Sequence, residues 1–232
     1  MDLLKIGGLT PLTTIDYPEH LSCVIYCQGC SWRCRYCHNP DLLEINTSTN
    51  FSWNKVFAFL KNRKNLLEAV VFSGGEPLLQ KNLVQAMTQI KNLGFKIGLH
   101  TAGALPKRFK QVLPLVDWVG FDVKDLSSYV DTLTQVKTSG VKNWQSLKLL
   151  IESNVTYQCR TTVHWQLIDE TRLIKLTQTM KAIGVDNYCV QFSRTTKMLD
   201  ANLGYSVKSK HKMMSIKSKL KKIMPEITFS SD

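Results

Sequence analysis

Leu21-Ser22-Cys23-Val24-Ile25-Tyr26-Cys27-Gln28-Gly29-Cys30-Ser31-Trp32-Arg33-Cys34-Arg35-Tyr36-Cys37-His38-Asn39-Pro40 joins a strand to a cysteine-bearing loop, and the rest of the chain repeats the strand-then-loop pattern. In the first part, period-two alternation puts Leu21, Cys23, Ile25 and Cys27 on one face. Cys23 and Cys27 therefore read as small buried apolar residues rather than ligands. The loop carries C-x3-C-x2-C, made by Cys30, Cys34 and Cys37. Three thiolates on one tight loop can hold three irons of a cubane, whereas Fe–S clusters usually take four protein thiolates. Three ligands would leave one iron open, and an open coordination position is what a reactive metal site needs. The alternative is zinc on two C-x2-C pairs, Cys27 with Cys30 and Cys34 with Cys37. Zinc ribbons separate such pairs by roughly 15–20 residues. Here three residues intervene, too few for two independent knuckles, so the spacing favours an iron–sulfur cluster.

Outward from this loop the chain alternates apolar runs with helical stripes. Leu9 to Pro18 reads as irregular, with Thr10, Pro11, Thr13, Thr14 and Asp16 as turn formers. Ser52 caps a helix in which Trp53, Val56, Phe57 and Leu60 share a face. Ala69-Val70-Val71-Phe72 reads as a buried parallel strand ending at Ser73-Gly74-Gly75-Glu76-Pro77. Leu79, Leu83, Met87 and Ile90 line the next helix, and Gly94 stops it. Phe95–Leu99 is a strand, His100–Gly103 a loop, and a short helix ends before Pro114. Trp118–Phe121 is a strand with Asp122-Val123-Lys124 at its end. Ser139-Gly140 marks a turn before a helix lined by Trp144, Leu147, Leu150 and Ile151. Val155–Val163 is a strand ending at His164. Leu173, Leu176, Met180 and Ile183 line a helix, Tyr188–Phe192 is a strand, and Glu226–Phe229 a terminal strand.

Six strand-then-helix units in order predict a parallel α/β fold. No linker or low-complexity stretch divides it, so one domain is expected over 1–232. In a β/α barrel the strand ends gather at one mouth, where active sites form. That arrangement brings Cys30, Cys34, Cys37, Gly74, Gly75, Glu76, His100, Asp122, Lys124 and His164 together. A doubly wound open sheet is the structural alternative.

The chain has 232 residues, 44% of them apolar, enough for one substantial core. No run of ~18 apolar residues occurs, so no transmembrane helix and no membrane partner are expected. Met1 to Gly8 lacks a basic stretch followed by an apolar one, so no secretory signal is expected there. Seven cysteines, odd in number and clustered, fit a cytoplasmic protein with a metal or redox site better than a disulfide framework. The net charge is +12, and the stretch from Lys197 to Asp232 supplies eight lysines against three acids. Much of this lies on a basic helix at about 207–223, where Met213, Ile216, Leu220 and Ile223 fall at helical spacing. A basic face can attract nucleic acid or an acidic partner. No aromatics interleave with these lysines as a stacking platform needs. The helix is read as an ordinary solvated face, with nucleic acid not expected as a partner.

Gly74 and Gly75 let a ligand approach the backbone closely, and Glu76 can accept hydrogen bonds from an ammonium group. Asp122 and Lys124 share a strand face and form either a structural ion pair or part of a ligand site. His164 reads as a hydrogen-bonded packing histidine, with catalysis as the alternative.

The cysteine spacing, with Tyr36 before the last cysteine, resembles the signature of the radical S-adenosylmethionine (SAM) superfamily. Gly74-Gly75-Glu76-Pro77 resembles that superfamily's motif contacting the methionine amino group. Ile15-Asp16-Tyr17-Pro18, Cys37-His38-Asn39-Pro40, Ser73–Pro77, Gly98–Gly103, Asp117–Lys124 and Cys159–His164 run in the same order as in anaerobic ribonucleoside-triphosphate reductase activating proteins, which are glycyl-radical-enzyme activases. The resemblance covers about Ile6 to Phe192, and similarity to pyruvate formate-lyase activating enzyme is looser. It implies a partial (β/α)6 TIM-type barrel holding a [4Fe–4S] cluster on Cys30, Cys34 and Cys37, with SAM chelating the open iron. It implies SAM contacts from Tyr36, His38, Gly74, Gly75, Glu76, Asp122 and Lys124. At His100 several activases carry an aspartate instead, so a contact from His100 is less directly implied, as is one from His164. The resemblance further implies reductive cleavage of SAM to methionine and a 5′-deoxyadenosyl radical. That radical would take a hydrogen from a glycine Cα of anaerobic ribonucleotide reductase, with flavodoxin or ferredoxin as electron donor. Activation of another glycyl-radical enzyme, or modification of a small molecule as in deazaguanine synthases, is the alternative.

Overall fold

Among the described residues, eight strands form one sheet in which spatial order follows chain order. They are β1 (Ile6–Thr13), β2 (Ser22–Cys27), β3 (Ala69–Gly74), β4 (Lys96–Thr101), β5 (Trp118–Asp122), β6 (Thr156–Val163), β7 (Tyr188–Phe192) and β8 (Thr228–Ser231). The structure is a computed structural model and describes residues 3–48, 51–193, 198–204 and 206–231. β1 runs antiparallel to β2, and every later neighbour is parallel. A doubly wound sheet reverses its strand order at a switch point. This order never reverses, which is the winding of a β/α barrel, and among the described residues β1 and β8 each pair with a single strand, so the barrel is partial.

The helices are α1 (Trp53–Lys61), α2 (Leu83–Lys91), α3 (Pro106–Val112), α4 (Ser127–Thr134), α5 (Ser139–Ile151), α6 (Glu170–Ala182) and α7 (Lys210–Ile223). Caps set several of their starts: Ser52, Asp169 and Ser209 each accept from a backbone amide three residues on. Their apolar stripes, such as Leu83, Met87 and Ile90 on α2, pack with Val70, Phe72, Ile97 and Leu99 of the sheet in the main core. On the other face of the sheet, Val24, Val71, Gly98 and Trp118 stand in register across β2 to β5. Tyr17, from the loop after β1, packs with Val24, Val71 and Trp118.

Several expectations are corrected. The stretch read as irregular from Leu9 contains most of β1, whose register breaks between Ile6 and Gly8 and between Thr10 and Thr13. Those irregularities and Pro11 erase the alternation by which strands are recognised, and an edge strand tolerates both. His100 and Thr101 belong to β4 rather than to a loop. Ser139 and Gly140 are not a turn but open α5. A Cβ at Gly140 would strike the carbonyl of Ser127, so this glycine serves the close approach of α4 and α5. The helix α4 itself was not anticipated.

On α7, Ile216 and Leu220 are buried. Lys212 and Lys219 both reach Glu170 of α6 at 2.7 Å. Lys217 stands over Phe192 and Phe229, and Lys208 over Trp165. The lysines therefore do meet aromatics, but these come from other elements and sequence spacing does not reveal them. Among the described residues no helix is long and apolar enough to cross a membrane.

Candidate functional site

At the C-terminal ends of the strands a pocket is lined by Cys30, Cys34, Tyr36, Cys37, His38, Gly74, Gly75, Glu76, His100, Asp122 and Lys124. Trp32, Asn39, Leu43, Ser73, Thr101, Ala102, Arg160 and Thr162 complete the lining. The fold thus brings together every sequence-derived candidate except His164. That residue is fully buried outside the lining, with Nε2 3.1 Å from the carbonyl of Gly204.

The cysteine loop leaves β2 and is pinned at once. The amides of Gly29 and Cys30 donate to the carbonyls of Leu42 and Leu43, and those of Gly75 and Glu76 donate to Cys27 and Gly29. Gly74 has φ +107°, and a Cβ on Gly75 would strike the backbone of Gly29. The two glycines are therefore demanded by backbone lying on backbone, which places the Gly-Gly-Glu turn directly beside the cysteine loop.

Cys23, Cys27, Cys159 and Cys189 are buried outside the pocket, whereas Cys30, Cys34 and Cys37 are part-exposed and face it. Burial, then the charge of Glu76, pushes the Cys30 thiol up to about 12. Burial pushes Cys34 up to about 11, with Lys124 pulling the other way. The free chain therefore holds these two as thiols, and a metal must displace their protons to bind. Among the described residues no three His, Cys, Asp or Glu side chains close on a single ion. In a cluster each thiolate binds its own iron, so three cysteines of one loop need not converge on a single ion.

Glu76 is almost fully buried, and its carboxylate accepts from Thr101 Oγ1 (2.6 Å) and from the amides of Leu78 (3.1 Å) and Ala102 (3.2 Å). Burial lifts its carboxyl above the usual range while these hydrogen bonds pull against the rise. Its carboxylate braces the end of β4 against the turn after β3. Asp122 meets a cation on each oxygen, Lys124 Nζ at 3.3 Å and Arg160 Nη2 at 3.2 Å. Burial opposes ionisation there, but the two cations win and hold the carboxyl below its ordinary range. Burial likewise opposes the charge on Lys124, yet the Asp122 carboxylate raises it well above the ordinary lysine value. Lys124 Nζ also lies 5.7 Å from the centre of the Tyr36 ring. His100 is pushed down to about 3 by burial and then by the charge of Arg160. Its neutral ring donates from Nε2 to the carbonyl of Asp16 at 2.9 Å, which leaves Nδ1 as an acceptor.

Arg160 and Thr162 were not singled out from the sequence. The available signal was alternation along β6, where Cys159, Thr161 and Val163 are buried and Arg160 and Thr162 are not. An arginine opposite a buried strand face at a barrel mouth is a candidate on those grounds alone.

Residues 24–172 match the sequence profile of the Radical SAM superfamily. A putative glycyl-radical enzyme activating enzyme of Methanocaldococcus jannaschii is 30% identical over 195 residues, covering 80% of this chain and 78% of that protein. The pyruvate formate-lyase-activating enzyme of Clostridium pasteurianum is 28% identical over 158 residues, covering 60% of this chain and 66% of the relative. In three dimensions the crystal structure of Streptococcus suis SuiB bound to S-adenosylmethionine matches with a TM-score of 0.68 at 15% identity. That match covers 90% of this chain but 49% of SuiB, so it speaks to the fold alone. The chain spans about two thirds of the clostridial relative and half of the streptococcal protein. With the profile match running from β2 into α6 across the cysteine loop, the chain belongs to the radical SAM superfamily, whose members use a [4Fe–4S] cluster and SAM.

Proposed function

We propose that this chain is a glycyl-radical-enzyme activase whose partner is an anaerobic ribonucleoside-triphosphate reductase. The observation that carries the activase reading is the 30% identity, along most of both chains, to a putative glycyl-radical enzyme activating enzyme. The order of the short motifs from Asp16 to His164 supports the reductase as the partner.

Cys30, Cys34 and Cys37 would hold the cluster, and the part-exposed, pocket-facing position of these three cysteines suits that role. Gly74–Glu76, Asp122 and Lys124 would surround SAM, with Tyr36, His38 and His100 beside them. The buried Tyr36 hydroxyl has no hydrogen-bond partner among the described residues, as befits a group left over for a ligand. Glu76 holds Thr101 and Ala102 in place, and its second oxygen, which takes one amide, keeps room to accept from an ammonium group. Lys124 keeps a positive charge near the thiolates, which favours an anionic cluster there. When bound, cluster and SAM together supply one-electron reductive cleavage leading to hydrogen abstraction from a glycine Cα. A docked partner loop would exclude water from that centre. Flavodoxin or ferredoxin would supply the electron, and the reaction would take place in the cytoplasm, within the single domain proposed for 1–232.

The test mixes reduced protein, SAM and the reductase anaerobically and records the electron paramagnetic resonance spectrum. A glycyl doublet is expected, and it should vanish when the reductase's radical-site glycine is replaced by alanine. A doublet formed only with pyruvate formate-lyase would keep the activase reading and change the partner. SAM cleavage without a radical on any glycyl-radical enzyme would sink the proposal in favour of a small-molecule substrate.

A further inference from the structure

The cysteine loop is held from two sides by segments far away in the chain. On one side, the last carbonyls of α4 take its amides: Arg33 donates to Thr134 at 2.9 Å and Arg35 to Leu133 at 3.2 Å. On the other side lies the segment Met198–Gly204. The amide of Leu199 donates to the carbonyl of Cys37, and that of Asp200 to the carbonyl of Arg35, both at 3.0 Å. The Asp200 carboxylate accepts from Arg35 Nε at 2.8 Å through Oδ2 and from the amide of Asn202 at 2.9 Å through Oδ1. The ion pair is only partly exposed, at 33% and 18% of the two side chains, so water screens it less than a surface pair.

The segment is itself anchored. Leu203 is buried in the main core. Gly204 donates to Gln166 Oε1 at 3.1 Å, and its carbonyl faces His164 Nε2 at 3.1 Å. This gives His164 a place: it holds the segment rather than the ligand pocket.

We infer that Met198–Gly204 is a strap that retains the cluster, and that Arg35 and Asp200 are positioning residues forming its latch. The inference rests on reading Cys30, Cys34 and Cys37 as the cluster ligands. Arg35 lies between Cys34 and Cys37, and the half of the loop before Cys30 is already fixed by Leu42, Leu43 and the Gly-Gly-Glu turn. The latch acts on the other half, where two of the three thiolates must keep their separation. A thiolate leaves a cluster when its loop swings out, so a strap across that loop slows the loss of iron.

The experiment uses the full chain reconstituted with iron and sulfide under anaerobic conditions. Iron release to an excess of a strong chelator is followed by visible absorbance for wild type, Asp200→Asn, Arg35→Gln, the double variant and Arg35→Lys. Asp200→Asn keeps the oxygen that accepts from Asn202. Each of the first two variants is expected to release iron roughly three- to tenfold faster than wild type, the scale of one partly buried charge-assisted hydrogen bond. The double variant should be no faster than the faster single variant, because both remove the same contact. Arg35→Lys should fall between wild type and Arg35→Gln. Thermal unfolding of the cluster-free proteins is measured alongside. Equal release rates overturn the latch alone, as do effects that add fully or that follow the unfolding temperatures. A wild-type chain that takes up no cluster overturns both the latch and the ligand reading beneath it.

Discussion

The guanidinium of Arg160 on β6 lies across Gly120 on β5, its Nη2 donating to the Gly120 carbonyl at 3.3 Å. A Cβ at residue 120 would stand 2.8 Å from Arg160 Nη2 and 2.9 Å from His100 Cδ2. The absent side chain is therefore what lets a cation and a neutral imidazole share the pocket wall beside Asp122. Replacing Gly120 by alanine forces the guanidinium away from its place. We expect Gly120→Ala to cost about 1 kcal/mol, the low end of the overpacking range, because the guanidinium is a flexible end that can turn into the pocket. Urea unfolding of the cluster-free protein measures this. Wild-type stability would show that Arg160 can move without loss.

His100 makes the stability of the cluster-free protein depend on pH. The unfolded chain protonates this residue near 6.5, whereas burial and the Arg160 charge delay protonation in the folded chain to about 3. Between those values the unfolded state binds the extra proton, so stability rises with pH. The contribution is complete above 6.5 and is lost as pH falls through this window. His100→Gln should flatten the curve by up to about 1.4 kcal/mol per pH unit, the limit for one proton. Unfolding titrations of both proteins from pH 7 to pH 5 check this, and parallel curves would show that His100 does not carry the effect.

Cysteine replacements separate ligands from core. Cys30→Ala, Cys34→Ala and Cys37→Ala are expected to lose bound iron and sulfide after anaerobic reconstitution. Cys27 is fully buried among apolar neighbours, so Cys27→Ala should keep the cluster and lower stability by about 1 kcal/mol as a small core truncation. Iron and sulfide analysis decides the matter. A Cys27→Ala protein as empty as Cys34→Ala would mean that the cluster draws on a fourth cysteine.

Gly140 sits where α5 starts against α4, its amide donating to Asp131 Oδ1 at 2.8 Å. A methyl group here meets the Ser127 carbonyl, which is backbone and yields only if the two helices separate. Gly140→Ala should destabilise the chain by about 1–3 kcal/mol. Because α4 ends on the carbonyls that hold Arg33 and Arg35, reconstituted Gly140→Ala should also release iron faster than wild type. A variant with unchanged urea midpoint and unchanged iron release would refute both effects.

Local pattern was enough to locate β2, β3, β5 and the stripes of α1, α2 and α6, because burial of one face imposes a period that neighbours in sequence display. It was also enough to single out Cys30, Cys34 and Cys37, since three ligands on one loop are a local feature. Edge strand β1 escaped because bulges and Pro11 break its alternation, and α4 because its packing depends on Gly140, thirteen residues beyond the Ser127 carbonyl that it meets. Ser139-Gly140 misled for the same reason, since a glycine needed for helix contact looks like one needed for a turn. Only the tertiary structure could set Arg160 over Gly120, bring Thr101, Leu78 and Ala102 onto the carboxylate of Glu76, bring Phe192 and Phe229 under Lys217, and lay Asp200 on Arg35 from 165 residues away. Each of these contacts joins separate elements. Their geometry is set by strand register and by how the strands wind into a partial barrel, and no spacing along the chain encodes it.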